Sequence, residues 1–233
     1  MAGQSLIRAA ELRTVSSDFA RYHGAVYAFR DKYFAFPGDM NNATSFWGDQ
    51  AAGPNACASA ATPDGNPGTC NGNGDGLIAI GLEMHRAWQQ MALGGLIEGS
   101  YTGQNGGGTG CGGTCDVVAG VNAPRGRLSN GGFSFYLIGQ DPVADAARIF
   151  STNLGGSFNS VVFGAKNPNF FYFDPIIKPE EAWGLDIKLD DGKPQYGKLY
   201  TRRDSLCTTS NDPTTAEYAL SVNANNCMLY YRF

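Results

Sequence analysis

Seven apolar residues near the start of the chain, Leu12, Val15, Phe19, Tyr22, Val26, Phe29 and Tyr33, recur at alternating spacings of three and four. That is the period of one face of an α-helix. Between them lie Arg13, Ser16, Ser17, Asp18, Arg21 and Arg30, an opposite polar face. A seam this long has to be buried against something, and it runs straight into an aromatic-rich stretch, Phe29 to Trp47. Pro37 in that stretch cannot continue a helix and pushes Phe36 toward extended geometry. The spacing therefore predicts a long N-terminal amphipathic helix, residues 1–36, acting as a stalk, and a globular head over 37–233. Coiled coils need sustained heptads with charged flanks, so the seam is expected to pack on the chain's own head.

At 233 residues the chain can bury a sizeable core. Its charged fraction is 16%, against about 25% for an average soluble domain. Glycine is abundant, with 32 residues, and Asn, Ser and Thr are plentiful. Polar but uncharged surfaces of this kind suit a protein facing the outside of a cell. The net charge of −4 and the scarcity of basic pairs, Arg125/Arg127 and Arg202/Arg203, argue against a nucleic-acid partner.

Six cysteines, at 57, 70, 111, 115, 207 and 227, fall in three near-neighbour couples. Sequence alone does not fix their pairing. Loop closure favours the nearest partners, which gives Cys57–Cys70, Cys111–Cys115 and Cys207–Cys227. Cys111-Gly-Gly-Thr-Cys115 could also serve zinc, but no second pair or nearby histidine completes four ligands. Disulfides imply an oxidising compartment, periplasm or cell exterior. The chain nevertheless shows neither a secretory signal nor an apolar span long enough to cross a bilayer. Met1-Ala2 reads as an added start, and a targeting or anchoring segment is expected upstream of Gly3.

Residues 44–76 read as loop, rich in Pro, Gly and Asn. A second helix is expected from Leu77 to Leu93, closed by Gly94-Gly95. Residues 102–115 form a Gly-rich loop; it lacks the flanking strand, helix and Lys-Ser/Thr of a phosphate cradle. Strand patterns follow at 133–138, 160–164 and 169–174, with a short helical link expected at 142–150. Pro179 opens a further helix, Asp190-Asp191-Gly-Lys-Pro turns the chain, and 228–233 reads as a last strand.

Catalytic chemistry has little to work with, and no enzyme is expected. His23 and His85 lie on expected helices with no nucleophile motif beside them. Asp186, Asp190 and Asp191 could be read as glycosidase carboxylates, but their setting is turn chemistry first. The strongest ligand signal is Asn71-Gly-Asn73-Gly-Asp75-Gly76-Leu77. Oxygen-bearing side chains at alternate positions, then Gly, match the first half of a calcium loop, with Leu77 offering a carbonyl. The twelfth position is Leu82, with Glu83 one residue late, and only Asp75 is charged among the first three side chains; so few charges imply a weak site of the extracellular type. The competing reading is an Asn/Gly turn in which Asp75 caps the next helix.

Several blocks of the chain resemble type IV pilin-like proteins and pseudopilins. They are Gly3 to Arg13, Tyr27 to Ala43, the set Asn73-Gly-Asp-Gly, Glu83, Trp88-Gln-Gln and Gly95 to Tyr101, and Leu185 to Pro194. The resemblance implies an α+β, pilin-like fold: an N-terminal helix packed on an antiparallel β-sheet, with large disulfide-bearing loop insertions. It implies a missing N-terminal half that anchors in the inner membrane of a bacterium and then forms a filament core. It also implies a C-terminal disulfide loop, onto which Cys207–Cys227 maps. Some pseudopilins bind calcium in their heads, which favours calcium as the one cofactor. The expected function is a structural subunit of a type IV pilus or related type II secretion-like filament, partnered by identical or related subunits at the cell surface. The alternative is a minor pilin or tip adhesin, a calcium-dependent binding module for a surface, glycan or DNA.

Overall fold

The computed structural model describes residues 2–50, 68–140, 156–203 and 206–233. Helix α1 (Ala2–Tyr33) runs along one face of an antiparallel sheet, so the chain is α+β with an N-terminal helix. Val15, Phe19, Tyr22, Val26 and Phe29 are fully buried, and Leu12 and Tyr33 pack half-buried on the same core. The helix ends at Tyr33, short of Phe36. Phe34 takes a left-handed φ of 57° while its N–H still reaches Arg30 O at 2.8 Å. The helix thus stops at Phe34, ahead of the proline.

The sheet contains β1 (Gly131–Ile138), β2 (Phe158–Lys166), β3 (Tyr172–Asp174), β4 (Leu199–Thr201) and β5 (Leu229–Arg232). Its order is β1-β2-β5-β4, with β3 paired to the end of β2. Every pairing is antiparallel, with Phe133 opposite Phe163 and Val161 opposite Tyr231. Alternation along the strands sends Phe133, Phe135, Val161, Phe163 and Tyr231 into the main core. Ile138, Val162, Tyr200, Met228 and Tyr230 form a smaller cluster on the other face. The ring of Phe19 meets Phe133 at 5.6 Å and Tyr231 at 5.5 Å, edge-on or tilted as aromatic quadrupoles prefer.

Helix α3 (Leu82–Leu93) completes this layer: Trp88 lies 4.9 Å from Tyr22 and 4.5 Å from Phe135. It begins at Leu82, not Leu77, because Gly81 sits at φ 112° and the Glu83 carboxylate takes the N–H of Ala79 at 2.9 Å. Two helical turns interrupt stretches expected to be loop, α2 (Thr44–Trp47) and α4 (Gly110–Gly113). Helix α5 (Pro179–Leu189) packs against α1. Strand β4 has no counterpart in the expected elements. The helical link expected at 142–150 lies outside the described residues.

Disulfides join Cys111 to Cys115 and Cys207 to Cys227, with Cα–Cα distances of 5.5 and 5.0 Å. The zinc reading of the first pair therefore lapses, since a disulfide offers no thiolate. Cys70 is also disulfide-bonded; its expected partner, Cys57, lies outside the described residues. Cys227 exchanges backbone hydrogen bonds with Ile177, docking the C-terminal loop at the base of α5. No helix among the described residues is long and apolar enough to cross a membrane.

Candidate functional site

The N-terminal turns of α1 emerge from the head. Leu6 and Ile7 are 71% and 63% exposed, the reverse of what large aliphatic side chains favour. The next residue is tied down. Arg8 Nε and Nη2 each donate to a different carboxylate oxygen of Glu181 at 2.7 Å, a fork-to-fork pair. Glu181 is in place because Pro179 opens α5 and the Glu181 side chain turns back to accept the N–H of Lys178 at 2.9 Å. Burial pushes the Glu181 carboxyl up, but the bonds from Arg8 and Lys178 more than offset it and hold it below its ordinary value. An aliphatic pair is thereby presented on a helix whose direction is fixed from both sides, by the seam and by Arg8.

A second constellation is the turn from Asn71 to Glu83. Asn71 Oδ1 accepts the N–H of Thr44 at 2.9 Å, which points it to α2. Asn73 Oδ1 accepts the N–H of Asp75 at 2.9 Å, and Asp75 Oδ1 accepts the N–H of Leu77 at 2.9 Å. Glu83 takes the N–H of Asn73 at 3.0 Å on one oxygen and that of Ala79 on the other. The centre of the turn is Asp39, whose carboxylate accepts the N–H groups of Gly74, Asp75 and Gly76 at 2.8, 3.0 and 2.9 Å. Burial raises the pKa of both Asp39 and Glu83, with these N–H bonds opposing it. Asn73, Asp75 and Glu83 are thus brought together, whereas Asn71 faces away. Their oxygens accept backbone N–H groups, so the turn is held closed by the chain itself. The Gly-Asn-Gly-Asp-Gly run exposes many N–H groups that need an acceptor, but nothing in it points to Asp39, 35 residues away from Gly74, as that acceptor.

The carboxylates of Asp186, Asp190 and Asp191 come within 4.8 Å of one another, the one such acidic group found among the described residues. Each is engaged locally. Asp186 accepts from Tyr218 Oη at 2.8 Å and Gly192 N at 3.2 Å. Asp190 accepts from the N–H groups of Lys198 and Leu199, and Asp191 from that of Lys193 at 2.8 Å. Burial raises the Asp186 carboxyl to about 7. The cluster joins α5 to the turn after it and to the disulfide loop through Tyr218. His85 is buried against Thr114 O at 2.9 Å, and burial lowers its pKa to about 4. His23 stacks 5.2 Å from Tyr231.

Comparison with protein-family models, with characterised proteins and with solved structures gave no match to this chain.

Proposed function

We propose that this chain is a structural subunit of a type IV pilus or a related type II secretion-like filament, assembling through its N-terminal helix. The observation that carries this reading is the division of labour along α1. Val15, Phe19, Tyr22, Val26 and Phe29 are sunk in the head core, while Leu6 and Ile7 stand in solvent on the same helix. A rod anchored at one end and apolar at the other suits a heterologous contact that repeats without closing. The aligned antiparallel sheet, the C-terminal Cys207–Cys227 loop and the resemblance of the blocks above point the same way. In this reading the subunit waits in the inner membrane of a bacterium through a helix segment preceding Gly3, and afterwards lies in a filament at the cell surface.

The test is carried out on the producing cells. Filaments sheared from the surface should contain this chain along their length. A Leu6→Glu/Ile7→Glu double variant should abolish filaments while leaving the melting temperature of the head unchanged. Wild-type chain absent from sheared filaments, or full filament assembly by the double variant, sinks the proposal.

A further inference from the structure

The two disulfides closed within the described residues sit in opposite surroundings. Cys207 and Cys227 are both fully buried, and their bond spans 20 residues. Thr201 Oγ1 donates to Cys207 Sγ at 3.3 Å, and the backbone of Cys227 is tied to Ile177. Cys111–Cys115 spans only four residues. Cys115 is fully buried, whereas Cys111, on α4, is the one exposed cysteine among the described residues.

Cys111 is also held against its own preference. Its φ of 51° and ψ of 42° lie in the left-handed region, which a residue with a Cβ enters at a cost. The ends of the short loop do not depend on the bond. The N–H of Gly110 reaches Asn169 O at 3.2 Å, and that of Val117 reaches Phe170 O at 3.1 Å. Asp116 donates its N–H to Asn105 Oδ1 at 2.6 Å. A crosslink over so few residues also takes less entropy from the unfolded chain than one over 20. Opening it therefore releases a strained residue and leaves the hydrogen bonds on either side in place.

We propose that Cys111–Cys115 is a thiol-exchange site, opened in the folded protein by attack at Cys111. An incoming thiolate bonds to Cys111 Sγ, the sulfur–sulfur bond breaks, and Cys115 leaves with the electron pair and takes a proton from solvent. A monothiol stops at a mixed disulfide on Cys111, which the Cys115 thiolate attacks in turn to restore the bond. With a dithiol, the second thiolate attacks the reductant's own sulfur in the mixed disulfide. The reductant then ends as a cyclic disulfide and Cys111 as a free thiol. Exchange follows the sulfur that can be reached, and here that is Cys111. The site stands whether or not the chain assembles into filaments.

The test treats the native whole chain with dithiothreitol, quenches it in acid, alkylates it unfolded with N-ethylmaleimide and maps the peptides by mass spectrometry. Cys111 and Cys115 should open at least about tenfold faster than Cys207 and Cys227. Reduced glutathione in place of dithiothreitol should leave its adduct on Cys111 and none on Cys115. A Cys111→Ser/Cys115→Ser double variant should fold and melt within about 5 °C of the wild type. Opening of Cys207–Cys227 at an equal or higher rate overturns the proposal. So does a glutathione adduct on Cys115, or a double variant that does not fold.

Discussion

The side-chain oxygen of Gln90 accepts the backbone N–H of Gly38 at 2.7 Å, in the interior, across 52 residues of sequence. The amide nitrogen of the same side chain donates to Cys70 O at 3.0 Å. One glutamine on α3 therefore holds both the exit of the stalk helix and the return of the loop that follows it. Gln90→Leu strands a buried donor and a buried acceptor, each costing about 1–3 kcal/mol. The melting temperature should fall by several degrees in circular dichroism; an unchanged value shows that the tether contributes nothing.

Gly38 is a harsher case. Its φ is +85°, and an added Cβ would lie 2.3 Å from Glu83 O, a backbone atom of α3 that cannot swing away. Gly38→Ala should destabilise more than Gln90→Leu, to the point of lost soluble expression. Thermal melts of the two variants side by side rank them, and the reverse order refutes the close-packing account.

Arg8 and Glu181 form a part-exposed pair, so its contribution to global stability is modest, about 1 kcal/mol or less. Its local effect should be larger. In Arg8→Ala, amide hydrogen exchange over the first three turns of α1 should quicken, with little movement of the global melt. Equal protection in both proteins would mean that the seam alone holds the rod.

Stability should depend on pH through Asp186. The folded carboxyl keeps its proton to about 7, raised from 3.8 by burial. The stabilisation this brings is fully present below 3.8 and is lost as pH rises through about 7. Asp18, Asp39 and Glu83 shift upward as well, while Glu181 shifts down. Asp186 therefore lowers the melting temperature on going from about pH 5 to about pH 8, against an opposing rise from the buried His85, and Asp186→Asn should tilt the slope toward greater stability at the higher pH. A slope identical in the variant removes Asp186 as its cause.

Calcium offers a direct check on the turn at Asn71 to Glu83. Because backbone N–H groups already hold Asp39, Asp75 and Glu83 in place, the melting temperature in millimolar calcium should equal that in excess EDTA. A rise with calcium that Asp75→Asn abolishes would show that the turn rearranges around an ion.

The seam of α1 is legible in sequence because its apolar residues keep a clean period of 3.6, and β1, β2 and β5 because they are runs of β-branched and aromatic residues. Strand β4 was not, since Leu199-Tyr-Thr is too short to show any period and exists by pairing with β5. The start of α3 at Leu82 depends on Glu83 reaching back to Ala79, which periodicity does not register. Asp39 and the Arg8–Glu181 pair escaped for a different reason. Their partners lie far away along the chain, 173 residues for Arg8, and no local pattern encodes such a meeting. The oxygens of Asn73 and Asp75 had the right spacing for an ion, but spacing does not say which way the neighbouring N–H groups point.

Strand β5 follows every other strand in sequence, yet it lies inside the sheet, pairing with β2 on one side and β4 on the other. Helix α1 thus packs on a sheet whose middle strand comes from the far side of the sequence. The core beneath Phe19 stays open until Tyr231 joins it, and α1, β1 and β2 cannot close it by themselves. Contacts so distant in sequence pay their loop-closure entropy before they are rewarded, so the head is expected to fold as one unit and not from α1 and β1–β2 in advance.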